Sequence, residues 1–206
     1  GECYLEEALV QSQFQPNLSL LAASQRKDKT AISPYDMREI IAQLHNSFDY
    51  ILIDCPAGIE QGFYNAIAGA DKAFIVATPE VSSIRDADRV IGLLEKEDCD
   101  FAPQIIINRY RADLVERGEM LDADDIWNIL GIPLLGILPE SEEVLIASNR
   151  GEPVVLHSEY CISAAFRNIA RRMQGEEVPF LDLHSQQSFW DRVKEFVGYP
   201  KKSAAL

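Results

Sequence analysis

The chain has no apolar run approaching the ~18 consecutive residues that a membrane-crossing helix needs, so no segment reads as a transmembrane span. Positive charge is also scarce. Nineteen lysines and arginines face 33 aspartates and glutamates, a formal net charge of −14, which argues against a broad electrostatic grip on nucleic acid. Cysteine is sparse and scattered. Cys3, Cys55, Cys99 and Cys161 form no C-x-x-C pair, so neither a zinc-type ligand set nor a disulfide framework is implied, and reduced thiols are the simplest reading. The N-terminus is acidic where a secretory signal would be basic and then apolar. No methionine opens the chain, and on this reading it begins partway through a longer parent. Repeats and low-complexity tracts are missing as well. With 47% hydrophobic and 25% charged residues, the composition is that of an ordinary globular protein.

Against these absences stand five short apolar runs: Leu18-Ser19-Leu20-Leu21-Ala22, Tyr50-Ile51-Leu52-Ile53, Ala73-Phe74-Ile75-Val76-Ala77, Gln104-Ile105-Ile106-Ile107 and Pro133-Leu134-Leu135-Gly136-Ile137-Leu138. Continuous rather than alternating apolar residues predict strands buried on both faces, as in a parallel sheet covered by helices. Helical patterns lie between them. Ser33-Pro34 places a cap and a first-turn proline before Tyr35, Met37, Ile40, Ile41 and Leu44. Ser82 or Ser83 is expected to start a helix carrying Ile84, Val90, Ile91 and Leu94. Asp122 to Asp125 put negative charge at the positive end of a helix bearing Ile126, Ile129 and Leu130, closed by Gly131. Strand and helix alternate, so the expected fold is α/β: a doubly wound, mostly parallel sheet flanked by helices. This body is expected over residues 1–178, with a tail over 179–206.

Three strand ends carry polar residues. In Phe48-Asp49-Tyr50-Ile51-Leu52-Ile53-Asp54-Cys55-Pro56-Ala57-Gly58 the acid falls at the carboxyl edge of the sheet, where ligands of open α/β folds bind. There Asp54 reads either as a holder of the water shell of Mg²⁺ or as the cap of the next helix. Gly58 lets the backbone approach a phosphate. Asn108, after Ile105-Ile106-Ile107, offers one donor and one acceptor to the edge of a base, or forms a turn. Pro139-Glu140 after Ile137-Leu138 lines a base pocket, or Pro139 starts a helix.

Together these segments resemble the MinD family of septum-placing ATPases, within the ParA/MinD group of P-loop NTPases. The match is carried by Ala22-Ala23-Ser24-Gln25, Asp54 to Glu60, the Pro79–Arg89 segment, Asn108-Arg109-Tyr110, Arg117 to Leu121 and Ala147 to Val154. Cys55 is like the cyanobacterial and plastid branch. The resemblance implies that Asp54 is the acid positioning Mg²⁺ and that Gly58 sits near the γ-phosphate of ATP. It further implies that Asn108 reads adenine, while Arg109, Pro139 and Glu140 shape the base and ribose pocket. Glu80, Ser83, Arg85 and Asp86 would lie near a dimer face that also meets MinE-like and MinC-like regulators, although any one of them also reads as part of a solvated helix face. The implied protein is an ATP-dependent homodimer in a bacterial cytoplasm or plastid stroma, peripheral on the inner membrane face, with no nucleic acid as partner.

One part of the family pattern is missing. No Gly-rich loop bearing a lysine occurs in the 206 residues, and such a loop cradles the phosphates through its N–H groups. The expectation is an ATPase in the intact parent and negligible turnover by this chain alone. In the tail, Phe189, Trp190, Val193, Phe196 and Val197 form an apolar stripe on a helix expected at about residues 187–198, with Arg192, Lys194, Lys201 and Lys202 facing anionic lipid. That stripe either anchors to membrane or docks on the protein. A ParA-type partition ATPase and a non-enzymatic partner-binding scaffold of the same fold are the competing functions.

Overall fold

A computed structural model describes residues 5–22, 32–56, 58–97 and 101–183. Ala23, Ser24, Gln25 and Ala57, and the tail stripe Phe189, Trp190, Val193, Phe196 and Val197, lie outside the described residues. The chain divides into two compact units, Gly1–Asp71 and Lys72–Leu206.

The first unit opens with a single 3-10 turn, Leu5–Ala8, and an antiparallel pair, β1 (Leu9–Gln11) and β2 (Ser19–Leu21). Val10 faces Leu20 across the pair, and the Ser12 N–H donates to the Leu18 carbonyl at 2.8 Å to close the connection. The strand expected at Leu18–Ala22 therefore forms, but not as a buried parallel strand: Leu20 is 63% exposed. A short loop joins antiparallel neighbours directly, and such a pair tolerates water on one face. The run Tyr50–Ile53 departs further from expectation, for it is assigned to no strand. Ile51 and Ile53 are half-buried while Tyr50 and Leu52 are exposed, Leu52 to 77%. That is the two-residue alternation of a strand without a ladder, because hydrogen-bonding neighbours make a strand and this run has none among the described residues.

Helix α1 (Pro34–Leu44) starts where the sequence places it. The Asp36 N–H donates to Ser33 Oγ at 3.2 Å, and the Ser33 N–H returns a bond to Asp36 Oδ2 at 2.8 Å. The two exchange orphan helix-end groups reciprocally. Helix α2 (Gln61–Ile67) follows, burying Phe63, Asn65 and Ala66. The Asn65 amide donates to the Ile32 carbonyl at 2.8 Å and its Oδ1 accepts from Gln61 Nε2 at 3.0 Å, so the buried amide is satisfied.

The second unit is a parallel sheet, β3 (Phe74–Ala77), β4 (Gln104–Tyr110) and β5 (Leu134–Pro139), in the order β3-β4-β5. Both faces are covered along β4 and β5, as expected from the continuous apolar runs, but not at β3, where Val76, on the Ile106 side, is 59% exposed because among the described residues no helix packs over that end of the face. Ile105 and Ile107 pack with Ala77, Ile84, Ile91, Ile126 and Leu130, on the side of α3 (Val81–Lys96) and α5 (Ala123–Leu130). Ile106 packs to the opposite side with Leu135, Leu138, Ala147, Ile162 and Ile169, beneath α6 (Glu142–Asn149) and α7 (Cys161–Met173). Alternate residues of β4 thus serve two cores.

Helix α3 begins two or three residues earlier than the serines suggest. Glu80 holds the cap position, and Ser83 Oγ instead accepts from the Thr78 N–H at 3.0 Å, fastening the turn out of β3. The acidic start expected for α5 forms, with Asp122 acting further as its cap in a reciprocal exchange with Asp125, and Gly131, at φ 64°, ends the helix as expected. Pro139 closes β5 and starts no helix; after α4 (Ala112–Glu116) and α5, helix α6 waits for Ser141. The approach of α7 to the sheet depends on Gly136, where a methyl would land on the Ile169 side chain, 2.6 Å from its Cδ1. Ile169 is itself buried and has little freedom to yield.

Gly136→Ala should therefore lower unfolding stability by about 1–3 kcal/mol, read from urea denaturation. In an Ile169→Ala background, which removes the clashing Cγ1 and Cδ1, the same Gly136→Ala change should cost less, and an equal cost in the two backgrounds would contradict the steric account. A second expectation concerns acid. The Ser33 hydroxyl, and then its N–H, hold the Asp36 carboxyl below the usual carboxylate range. The cap's contribution is thus complete above the ordinary Asp value of about 3.9 and is lost as pH falls through the lower folded value. Ser33→Ala should bring the Asp36 titration, followed by carboxyl NMR, back up toward the ordinary range.

Candidate nucleotide-binding edge

The residues singled out at the carboxyl ends of β4 and β5 meet at the edge of the sheet: β4 runs past Asn108 and Arg109 to Tyr110, and β5 ends on Pro139. Register brings them there. Ile107 faces Ile137 and Tyr110 faces Pro139, so two residues of β4 lie between pairs that only Leu138 separates on β5. The surplus residue makes a bulge, which bends a strand and re-aims its side chains. Arg109 absorbs it with φ +59°, a left-handed conformation and the sole positive φ of a non-glycine among the described residues. Such a value is costly for a residue with a Cβ. Beyond the bulge the ladder resumes, as the Glu140 N–H donates to the Tyr110 carbonyl at 3.0 Å.

The bulge turns Asn108 and Arg109 toward the same edge as Glu140. Arg109 Nε donates to Glu140 Oε1 at 3.2 Å and Oε2 at 3.3 Å, and Nη2 reaches Oε1 at 3.2 Å. Both side chains are largely open to solvent, so the pair contributes roughly 0–1 kcal/mol to stability and its worth is in geometry. Asn108 is half-buried, and its Oδ1 accepts from the Arg109 N–H at 3.0 Å. That bond orients the carboxamide, whose NH₂ has no partner among the described residues. The edge thus presents two amide donors, one remaining lone pair and a carboxylate held by an arginine, the complement of a heteroaromatic base and an adjoining diol. Of the residues named from sequence, Asn108, Arg109, Pro139 and Glu140 are brought together here.

A group just beyond was not anticipated. Arg111 forks onto Asp113, with Nε to Oδ1 at 3.1 Å and Nη2 to Oδ2 at 2.8 Å. Arg117 reaches Asp113 at 3.7 Å and Glu119 at 3.2 Å. The Arg111 fork holds the Asp113 carboxyl below the usual range. Under this lattice Tyr110 is buried, and that burial, with Asp122 and Glu116 adding, pushes its hydroxyl up. The spacing R-x-D was the available sequence signal.

Asp54 and Gly58 belong to the first unit. Asp54 is exposed, and Gly58 has φ +101° with nothing within 4 Å of an added methyl, so it is the backbone conformation rather than crowding that favours glycine there. Cys55 is exposed too, yet local desolvation first and the Asp54 carboxylate second push its thiol up, which makes it no activated nucleophile. Among the described residues no group of three or more His, Cys, Asp or Glu is placed to hold a metal. A lone exposed carboxylate does not suit a resident ion, but it does suit magnesium, which keeps several waters and arrives with nucleotide phosphates. The Glu80, Ser83, Arg85 and Asp86 group occupies the start of α3. There Ile84 and Ala87 turn inward, Glu80, Arg85 and Asp86 outward, and Ser83 is taken up by the β3–α3 turn.

A parallel sheet with helices on both faces and a polar carboxyl edge defines a doubly wound α/β protein of the nucleotide-binding type. Comparison with known proteins specifies it. The chain is 49% identical over 183 residues, 88% of its own length and 68% of the relative's, to the septum site-determining protein MinD of Synechocystis. It superposes on the MinD of the MinC:MinD cell division complex of Aquifex aeolicus with a TM-score of 0.81 at 43% identity, covering 88% of this chain and 73% of that one. A Pyrococcus horikoshii MinD solved with Mg-ADP gives a TM-score of 0.70 at 27% identity, over 84% and 69% of the two chains. No protein-family model matches. The chain belongs to the MinD family of septum site-determining proteins, within the ParA/MinD group.

The left-handed residue provides a check on the bulge. Arg109→Gly should leave unfolding stability unchanged or slightly raised, whereas Arg109→Val should cost about 1–2 kcal/mol. Equal behaviour of the two variants in urea would show that the positive φ is not a constraint in solution.

Proposed function

We propose that this chain works as part of an ATP-dependent switch that sets the position of the division septum, with Asn108 reading the adenine and Arg109, Pro139 and Glu140 shaping the pocket for base and ribose. The single observation carrying the proposal is the bulged carboxyl edge, in a chain 49% identical to a septum site-determining MinD. The Mg-ADP bound by the Pyrococcus horikoshii relative supports a magnesium-nucleotide ligand. Asp54 is assigned to the water shell of the nucleotide's magnesium, and Gly58 to the backbone beside the terminal phosphate. ATP with Mg²⁺ supplies the phosphoryl chemistry when bound; the residues assigned here orient the base and hold the ion's water. No lysine-bearing Gly-rich loop occurs in the 206 residues, so these residues are assigned the base-reading and magnesium side of the ATPase and, by themselves, negligible turnover.

The outward residues at the start of α3, Glu80, Arg85 and Asp86, with Ser83 beside them, are assigned to a face for a second copy and for regulators. The MinC:MinD complex of Aquifex aeolicus supports a MinC-like partner, and a MinE-like partner belongs to the same proposal. No described helix is long and apolar enough to cross a membrane. Membrane association is assigned to the amphipathic stripe Phe189, Trp190, Val193, Phe196 and Val197, giving a peripheral protein on the inner membrane face. The body over residues 1–178 and the tail over 179–206 are the working division of labour.

The test replaces the 183 matched residues of the Synechocystis relative with those of this chain. The chimaera should hydrolyse ATP and restore septum position in cells lacking their own MinD. Asn108→Ala in it should raise the KM for ATP about tenfold with little change in kcat, since a lost hydrogen bond to substrate is worth about 0.5–1.5 kcal/mol, or more where the base group is left buried. Asp54→Ala should abolish turnover at any magnesium concentration. A chimaera that unfolds cooperatively and binds no ATP would overturn the proposal.

A further inference from the structure

The residues that follow α7 are held down by one side chain. Arg172, in the last turn of α7, donates from Nε to the Val178 carbonyl at 2.8 Å, from Nη2 to the Pro179 carbonyl at 2.8 Å and from Nη1 to the Leu135 carbonyl of β5 at 3.1 Å. Its guanidinium carbon also lies 4.1 Å from the centre of the Phe180 ring, within cation–π range. The guanidinium is partly desolvated, and burial pushes its pKa down. Beyond the clasp, Leu181 packs against the core under α7 and Leu183 against the core under α3 and α5. Phe180, Leu181 and Leu183 line one side of a small crevice, with Ile137, Ala165 and Asn168 opposite.

Main-chain bonding does not explain this adherence. Among the described residues, Val178, Pro179, Phe180 and Leu181 make no hydrogen bond to other main chain. Pro179 has no N–H to offer. The segment is neither strand nor helix, so its attachment depends on the Arg172 fork and on three apolar side chains. A guanidinium is suited to this task because its planar donors span several acceptors at once, which an ammonium cannot do.

We propose that Arg172 is a clasp that fastens residues 178–183 as a strap over the β5–α7 edge, so that the strap lies on the body or comes away from it according to the state of this one guanidinium. The apolar contacts of Leu181 and Leu183 are secondary to the fork, and the strap can be released without unfolding the sheet beneath it.

Limited chymotrypsin digestion of the 206-residue chain tests the clasp, read by mass spectrometry as the rate of cleavage after Phe180, Leu181 and Leu183, with the urea unfolding midpoint as reference for the body. Arg172→Met keeps the apolar stem and removes the fork. It should speed cleavage in the strap at least tenfold and leave the unfolding midpoint unchanged. Arg172→Lys should fall between Met and the unmodified chain. Unchanged strap cleavage in the Met variant would show that Leu181 and Leu183 hold the segment alone, and faster cleavage that comes with a lowered midpoint would make Arg172 a general brace; either result overturns the proposal. Should the Met variant not fold, Phe180→Ala decides instead, with two- to fivefold faster cleavage after Leu181 at an unchanged midpoint as the supporting outcome and no change as the opposing one.

Discussion

Ile105, Ile106 and Ile107 follow one another on β4, and all three are buried, Ile107 completely. Successive strand residues point to opposite faces, so this is possible only if both faces of the sheet are covered. The second unit is arranged around that requirement. Helices α3 and α5 take the Ile105 and Ile107 side, and α6 and α7 take the Ile106 side. Burying one such side chain contributes about 1.5–3 kcal/mol relative to exposure, and the central strand collects this on both faces at once. A strand fixed so firmly is a sound base for a deformation at its end. The bulge at Asn108 and Arg109 occurs where the isoleucines stop, and the cost of the left-handed Arg109 is borne by a ladder that resumes at Tyr110 and Glu140.

Strain of this kind usually marks a site, because a residue kept in a sparsely populated conformation must be over-determined by its surroundings. Here the deformation has a visible product. It sets the Arg109 N–H against Asn108 Oδ1 and the Arg109 guanidinium against Glu140. The carboxamide is thereby fixed in one orientation while its NH₂ points away from internal partners. An unbulged strand would send Asn108 and Arg109 to opposite faces, and the edge would lose either its amide or its carboxylate clamp.

How much of this could be read from residues alone varies with the physics of each element. The three strands of the second unit were legible because continuous apolar runs bounded by polar residues have few other uses. The cap at Ser33 and the acidic start at Asp122 were legible because capping is a local matter. Helix α7 was not, since its small and polar residues, such as Ser163 and Ala164, interrupt the apolar pattern, and its seat depends on Gly136, distant in sequence. The pairing of β2 also escaped, because an apolar run does not reveal whether its neighbour runs parallel or antiparallel. Tyr50–Ile53 has every residue preference of a strand and no ladder, which shows that preference supplies the alternation while only a neighbour supplies the hydrogen bonds. At the site, Asn108, Pro139 and Glu140 were visible as strand-end residues. The bulge was invisible, since it follows from a mismatch of one residue between two strands and not from either strand's composition.

The two units also differ in how much holds them in place. Among the described residues of the first unit the buried ones are Leu44, Phe63, Asn65 and Ala66, a core worth only a few kcal/mol at about 1.5–3 kcal/mol for each large side chain. Its remaining order comes from polar ties: the Ser33–Asp36 exchange and the Asn65 bonds to Ile32 and Gln61. Elements that change state in response to a ligand are drawn from the less stable part of a protein. Asp54, directly after the run Tyr50–Ile53 that makes no ladder among the described residues, and Gly58, in a bend, stand in that part, whereas Asn108 and Glu140 stand at the strand ends that the isoleucine core fixes. In a nucleotide switch the base does not change on hydrolysis and the phosphates do. Under the proposed assignment, the base would fall to the firmly held strand ends and magnesium and phosphate to the less buried segment, the division of stiffness that such a reaction calls for.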